Sequence, residues 1–179
     1  MRLGTVALWW GTLGFMALLV VGIQRMWGIA LDSLSYPWTT SHYALLIVNT
    51  IMMAWVEGYR GFQQSFSPRF AARSISLKRN PSLLGFVLAP LALMGFFHAP
   101  LRRIIGAIAL TLGIVAIVLF YRAFPQPWRG ILDFGVIVGL SWGAIATLLA
   151  VINANARGTD VDPEWRPAVS PRLPDSSRA

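Results

Sequence analysis

Five apolar stretches, near residues 3–24, 40–57, 82–98, 103–122 and 130–151, limit what this chain can fold into. A helix needs about 20 apolar residues to cross the hydrocarbon core of a bilayer. The first, fourth and fifth stretches reach that length, the second approaches it, and the third is the shortest. Inside hydrocarbon each backbone amide must find a partner, and a helix supplies one within a single segment. Strand-like alternation is missing, which excludes a β-barrel. The pattern predicts an all-α fold, a polytopic transmembrane helical bundle of about five spans over residues 1–152. Residues 153–179 hold four prolines, balanced charges and few apolar side chains, and read as a disordered tail.

Composition narrows the function classes. Hydrophobic residues make up 56% of the 179 and charged residues 12%, about half the charge of a soluble domain. The absence of cysteine rules out disulfides, thiolate metal sites, iron–sulfur clusters and a catalytic thiol. Fifteen basic residues, all arginine except Lys78, face seven acids. In so apolar a chain that excess points to anionic lipid and away from nucleic acid.

The first stretch has features of a secretory signal, with Arg2 before it and the small residues Gly28-Ile29-Ala30 after it. Its apolar run is longer than a signal's, and Arg25 stands before the candidate cut, so it reads as an uncleaved anchor. Orientation follows from the 58–81 loop, which carries Arg60, Arg69, Arg73, Lys78 and Arg79 and no acid. Such a loop belongs in the cytoplasm. Five crossings then put the N-terminus in the cytoplasm and the tail in the periplasm of a bacterial inner membrane. Trp27, Tyr36, Trp38, Tyr43, Phe96 and Phe97 form the outer aromatic belt, and Trp55, Tyr59, Tyr121 and Trp128 the inner one.

Within that loop, Ser67-Pro68 starts a helix and Asn80-Pro81 stops one. Phe62, Phe66 and Phe70 recur every four residues. The reading is a short basic helix on the inner membrane face, its aromatics among the headgroups and its Arg69, Arg73, Lys78 and Arg79 on anionic lipid. A solvated connector and a surface for an acidic partner stay open beside it. Pro90 predicts a kink near Phe86 in the third span. Gly135, Gly139 and Gly143, with Thr147, make a small-residue stripe on the fifth span. Such a stripe admits close helix approach, either within the bundle or in a homo-oligomer.

Ionisable and polar residues inside a membrane are the default functional candidates. Glu57 and Asp133 both fall near the inner face, with Arg60 three residues from the first and Arg129 four from the second. They read as a charge network that fixes helix register, the alternatives being a proton relay and an anion site. Asn49, Ser141 and Trp142 fall near mid-membrane, where a bond between the second and fifth spans would satisfy the amide. His42 and His98 share the outer interface, where two axial imidazoles could hold a haem b. The bland alternative is a pair of solvated histidines, and beyond this haem no cofactor and no metal is expected. No HExxH, GxSxG or Walker sequence is present.

The phrases Glu57-Gly-Tyr-Arg-Gly-Phe-Gln, Phe66-Ser-Pro-Arg69, Met94-Gly-Phe-Phe-His-Ala99, Pro125-Gln-Pro-Trp-Arg-Gly130 and Gly139-Leu-Ser-Trp-Gly143 resemble a family of bacterial multi-pass integral membrane proteins. The likeness covers most of residues 42–150. It implies an inner-membrane location and brings no activity and no site. The expected function is that of a non-catalytic accessory, assembly or scaffold subunit of a membrane complex. The alternatives are a small transporter or channel with a route through Asn49, Thr111 and Ser141, and a haem or redox protein using His42 and His98.

Overall fold

The computed structural model describes residues 2–80, 83–94 and 124–157, and among them every regular element is helical. The fourth predicted span, His98, Phe96, Phe97, Thr111, Tyr121 and the tail beyond residue 157 lie outside the described residues. Helix α1 covers Arg2–Asp32 and ends in a 3-10 turn, Ser33–Ser35. Helix α2 covers Thr40–Met53, a π-helical segment Ala54–Phe66, and α3 Ser67–Arg79. Short α4 (Leu83–Val87) and α5 (Ala89–Met94) follow, and α6 covers Trp128–Arg157. Two helices, α1 with its terminal turn and α6, are long and apolar enough to cross a membrane.

Residues 58–79 of the expected 58–81 loop are helical. The chain stays helical from Thr40 to Arg79, with Met53 and Ser67 in right-handed helical geometry at the two junctions. Helix α3 starts at Ser67-Pro68 and stops at Asn80, where Asn80 N–H reaches the Ser76 carbonyl at 3.0 Å. A proline inside a continuous helix withholds an amide and crowds the carbonyl four residues back. The π winding, with its i→i+5 bonding, ends just before Pro68, where the backbone must adjust to that ring.

The aromatic and aliphatic side of α3 is packed inside the bundle. Phe70, Ala71, Ala72 and Ile75 are buried, and with Leu8, Phe15, Leu93 and Val151 they form the core. The Phe15 ring stacks at a tilt on Phe66 and Phe70, with centroids 5.1 and 4.9 Å apart. Arg69, Arg73 and Lys78, assigned to lipid from the sequence, bond within the chain. Arg69 donates to Ser65, Arg73 to the Leu93 carbonyl at 3.1 Å, and Lys78 to Asn155 Oδ1 at 2.7 Å.

Contacts along the helices set their directions. Gly4 of α1 rests on the Lys78 backbone, and Phe15 meets Phe66 and Phe70. At the other end Gly130 of α6 rests on Ser33. Helix α6 follows the long helix in step: Asn49 meets Ile131, Glu57 meets Gly139, Ser67 meets Thr147, and Lys78 meets Asn155. Helix α6 is therefore parallel to α2–α3 and antiparallel to α1, whereas five alternating spans would set the second and fifth antiparallel. The start of α1 and the end of α6 lie at the same end of the bundle, not at opposite ends as five crossings require.

Helix α5 packs on the middle of α1, where Gly11 faces Ala89 and Leu93 and Gly14 faces the Pro90 ring. The kink expected from Pro90 is a break at Leu88, between α4 and α5. Outward from this core the bundle is apolar. Val21 of α1, Ile51 of α2 and Ile145 of α6 are each more than 60% exposed, with Leu3, Val6, Leu13, Ile47, Val48 and Leu149 also outside. So much exposed apolar surface needs an apolar neighbour.

Candidate functional site

The polar side chains of the long helix meet α6 in a ladder. At one end Asn49, 5% exposed, donates from Nδ2 to the carbonyls of Ile131 and Leu132 at 3.1 and 3.2 Å. Gly135 is a glycine because the Asn49 amide occupies the place of a side chain there. One turn on from Gly135, a Cβ at Gly139 would come within 2.7 Å of Glu57 Oε2. Gly58 admits the Trp142 side chain, and Trp142 Nε1 donates to Gln63 Oε1 at 2.7 Å. Phe62 lies over Gly143. Ser67 Oγ and Thr147 Oγ1 are 2.9 Å apart, and Thr147 also donates to the Gly143 carbonyl at 2.8 Å. The stripe of Gly135, Gly139, Gly143 and Thr147 is thus used inside the chain, against the long helix.

The parallel arrangement separates residues that antiparallel spans would bring together. Asn49 sits opposite Ile131 and Leu132, so it does not meet Ser141, about three turns further along α6. Ser141 and Trp142 instead line an outer groove with Gln63, Ile145 and Leu149. Glu57 lies at the level of Gly139, while Asp133 lies six residues nearer the start of α6, about 9 Å along its axis. Arg129 acts electrostatically on Asp133, one helical turn away, in keeping with a local pair. Glu57 Oε2 is buried without a hydrogen-bond partner among the described residues. The four residues therefore do not close into one network.

His42 belongs to a helix cap. The Thr39 backbone N–H donates to His42 Nδ1 at 2.9 Å, and Thr39 Oγ1 is 3.0 Å from the same atom. Trp128 stands edge-on to the ring at 4.2 Å between centroids. An imidazole whose Nδ1 accepts a backbone proton carries its own proton on Nε2, and so offers no lone pair to iron there. His42 Nε2 is buried and has no hydrogen-bond partner among the described residues. A haem ligand needs the reverse arrangement, with Nδ1 donating. Among the described residues no three His, Asp or Glu side chains gather at one point.

Several joints had no signal in the sequence. Gln126 Nε2 donates to the Ile29 carbonyl and to Asp32 Oδ2, both at 3.1 Å, while its Oε1 accepts from Gly130 N–H at 3.1 Å. The Trp142–Gln63, Ser67–Thr147 and Lys78–Asn155 pairs join residues about 80 apart in the chain. Spacing rules work within one helix and do not reach such pairs.

The ladder gives one direct prediction. Asn49→Leu removes both bonds to α6 and leaves a larger side chain against Gly135, which is expected to cost about 1–2 kcal/mol. Ser141→Ala, which cuts no bond between helices, is expected to stay within about 0.5 kcal/mol of wild type. Unfolding in mixed micelles checks the difference between them.

No family model matches the chain, and no curated protein and no solved structure is significantly similar to it.

Proposed function

We propose that the chain is a non-catalytic, membrane-embedded accessory or scaffold subunit. One observation carries the reading: seven polar side chains are committed to joining helices, while the outward faces, apart from the flank that carries Arg60, Gln64 and Arg69, are largely apolar. Asn49, Gln63, Ser67, Lys78, Gln126, Trp142 and Thr147 each bond across helices. This makes a stiff body with apolar sides, suited to being packed against and ill suited to turnover. The transport route loses support because the Asn49 amide is satisfied by carbonyls and Ser141 lies at another level. The haem reading loses it because of the His42 proton.

In a membrane, α1 and α6 cross, and the bundle is about as long as a bilayer with its headgroup layers, roughly 45 Å. The end holding Lys78, Arg79, Arg157 and the start of α1 has no acid among the described residues. The other end mixes Arg25 and Arg129 with Asp32 and Asp133. The basic end then faces the cytoplasm, on anionic headgroups.

The test is assembly. Removing the chain from cells is expected to lower the amount of one intact membrane complex on native gels, and a tagged copy restores it and travels with it at constant stoichiometry. A tagged chain that runs alone in mild detergent, with every complex unchanged in its absence, sinks the reading.

A further inference from the structure

One cavity with two arginines in its wall stands outside the ladder. A cavity of about 770 Å³ opens on the flank of the long helix, with Arg60, Gly61, Gln64, Ser65 and Arg69 in its lining beside the apolar Val56 and Pro68. No acid is among its lining residues. We propose that Arg60 and Arg69 form a binding site for a phosphate group here. The proposal goes beyond the scaffold reading and stands or falls separately from it.

The π winding puts the two arginines together. Residues nine apart in an α-helix, at about 100° per residue, lie on nearly opposite faces. The i→i+5 bonding between Ala54 and Phe66 turns the chain less at each residue, and Arg60 and Arg69 line one cavity. The same winding carries Glu57 away. Its carboxylate faces Gly139 on α6, so the acid nearest to Arg60 in sequence does not neutralise it.

Each arginine is prepared differently. The Arg69 guanidinium is held in place, Nε donating to the Ser65 carbonyl at 2.7 Å and Nη2 to the Ser65 hydroxyl. That leaves both Nη1 protons for a ligand. Arg60 is exposed, and among the described residues no hydrogen bond or ion pair holds it. Between them Gly61 contributes no side chain. A Cβ there would meet only the Val56 carbonyl, at 3.2 Å, so the space is open toward the cavity. A rigid guanidinium fork, a second cation and the Gln64 amide suit a tetrahedral oxyanion with several acceptor oxygens. Free phosphate and a phospholipid headgroup share that chemistry.

The experiment uses the full chain in a phosphate-free maltoside detergent at constant ionic strength. Sodium phosphate is titrated by calorimetry with sodium chloride as the control, and native mass spectrometry reads retention of phosphatidylglycerol from nanodiscs. Wild type is expected to take up one of the two saturably. Uptake of inorganic phosphate makes the source free anion, and retention of lipid alone makes it a headgroup. Arg60→Gln is expected to weaken binding tenfold or more, Arg60→Lys to weaken it less, and Arg25→Gln, outside the cavity, to leave it unchanged. Gly61→Leu, which keeps both charges and fills the space, is expected to abolish it, which covers the case of a poorly folded arginine variant. Saturation by neither probe, or losses equal for Arg60→Gln and Arg25→Gln, would falsify the site.

Discussion

A reporter placed after Arg157 is expected to face the same side of the membrane as one fused ahead of α1. Helix α1 begins against Lys78, and Lys78 bonds Asn155 near the end of α6. Residues 2–157 therefore return to the end they started from. The segment after Arg79 leaves from that end, and Gln126 reappears at the other, bonded to Ile29 and Asp32. An even number of passes between Arg2 and Arg157 follows for a bundle set across a bilayer. The basic character of the shared end predicts the cytosol. A fluorescent fusion after Arg157 is expected to be bright and a periplasmic phosphatase fusion inactive, with the opposite result after Tyr36. A phosphatase active after Arg157 would separate ends that the packing holds together, and the parallel pairing of α6 with the long helix would be wrong. The effect is close to all-or-none, because a folded extramembrane reporter matures on one side only.

The second large effect comes from the glycines, which divide into two kinds. Gly4 packs on the Lys78 backbone, and Gly135 packs on Asn49 and Met53. A methyl group at Gly4 would meet a backbone carbonyl, which cannot rotate out of the way. A methyl group at Gly135 would displace the amide that ties α2 to α6. Gly4→Ala and Gly135→Ala are each expected to destabilise the bundle by about 1–3 kcal/mol through overpacking. Gly22 has nothing within 4 Å of the position a Cβ would take. There the helix gains from alanine, and Gly22→Ala is expected to be neutral or to stabilise by up to about 1 kcal/mol. Unfolding in mixed micelles separates the two signs. Equal effects at Gly22 and Gly135 would mean that α6 and α2 do not touch where the contacts place them.

The candidate residues show how far one-dimensional reasoning reaches. The limits of α3 were readable because caps and prolines act within a few residues. The packing value of Gly135, Gly139 and Gly143 was readable because four-residue spacing marks one helix face. The partner of Asn49 was not readable, because depth in a membrane was reckoned from an assumed alternation of spans. Charge between 58 and 81 suggested a loop, yet those arginines and glutamines lie on a helix whose other side, through Phe66, Phe70 and Ile75, is packed on α1 and its neighbours. A charged helix and a charged loop have the same composition, and burial of one face separates them. For His42, residue type allowed a ligand, while the Thr39 amide decided where its proton sits.

Sequence by itself determined the helical class, the apolar exterior and the residues able to approach closely. These depend on hydrocarbon solvation and on helical periodicity, which act locally. Tertiary structure alone decided direction and pairing: which helices run parallel, which end holds both Lys78 and Asn155, and which side of the π winding faces away from α6. Those depend on contacts between residues about 80 apart, and several close packings satisfy the same apolar pattern until shape and hydrogen bonding select one.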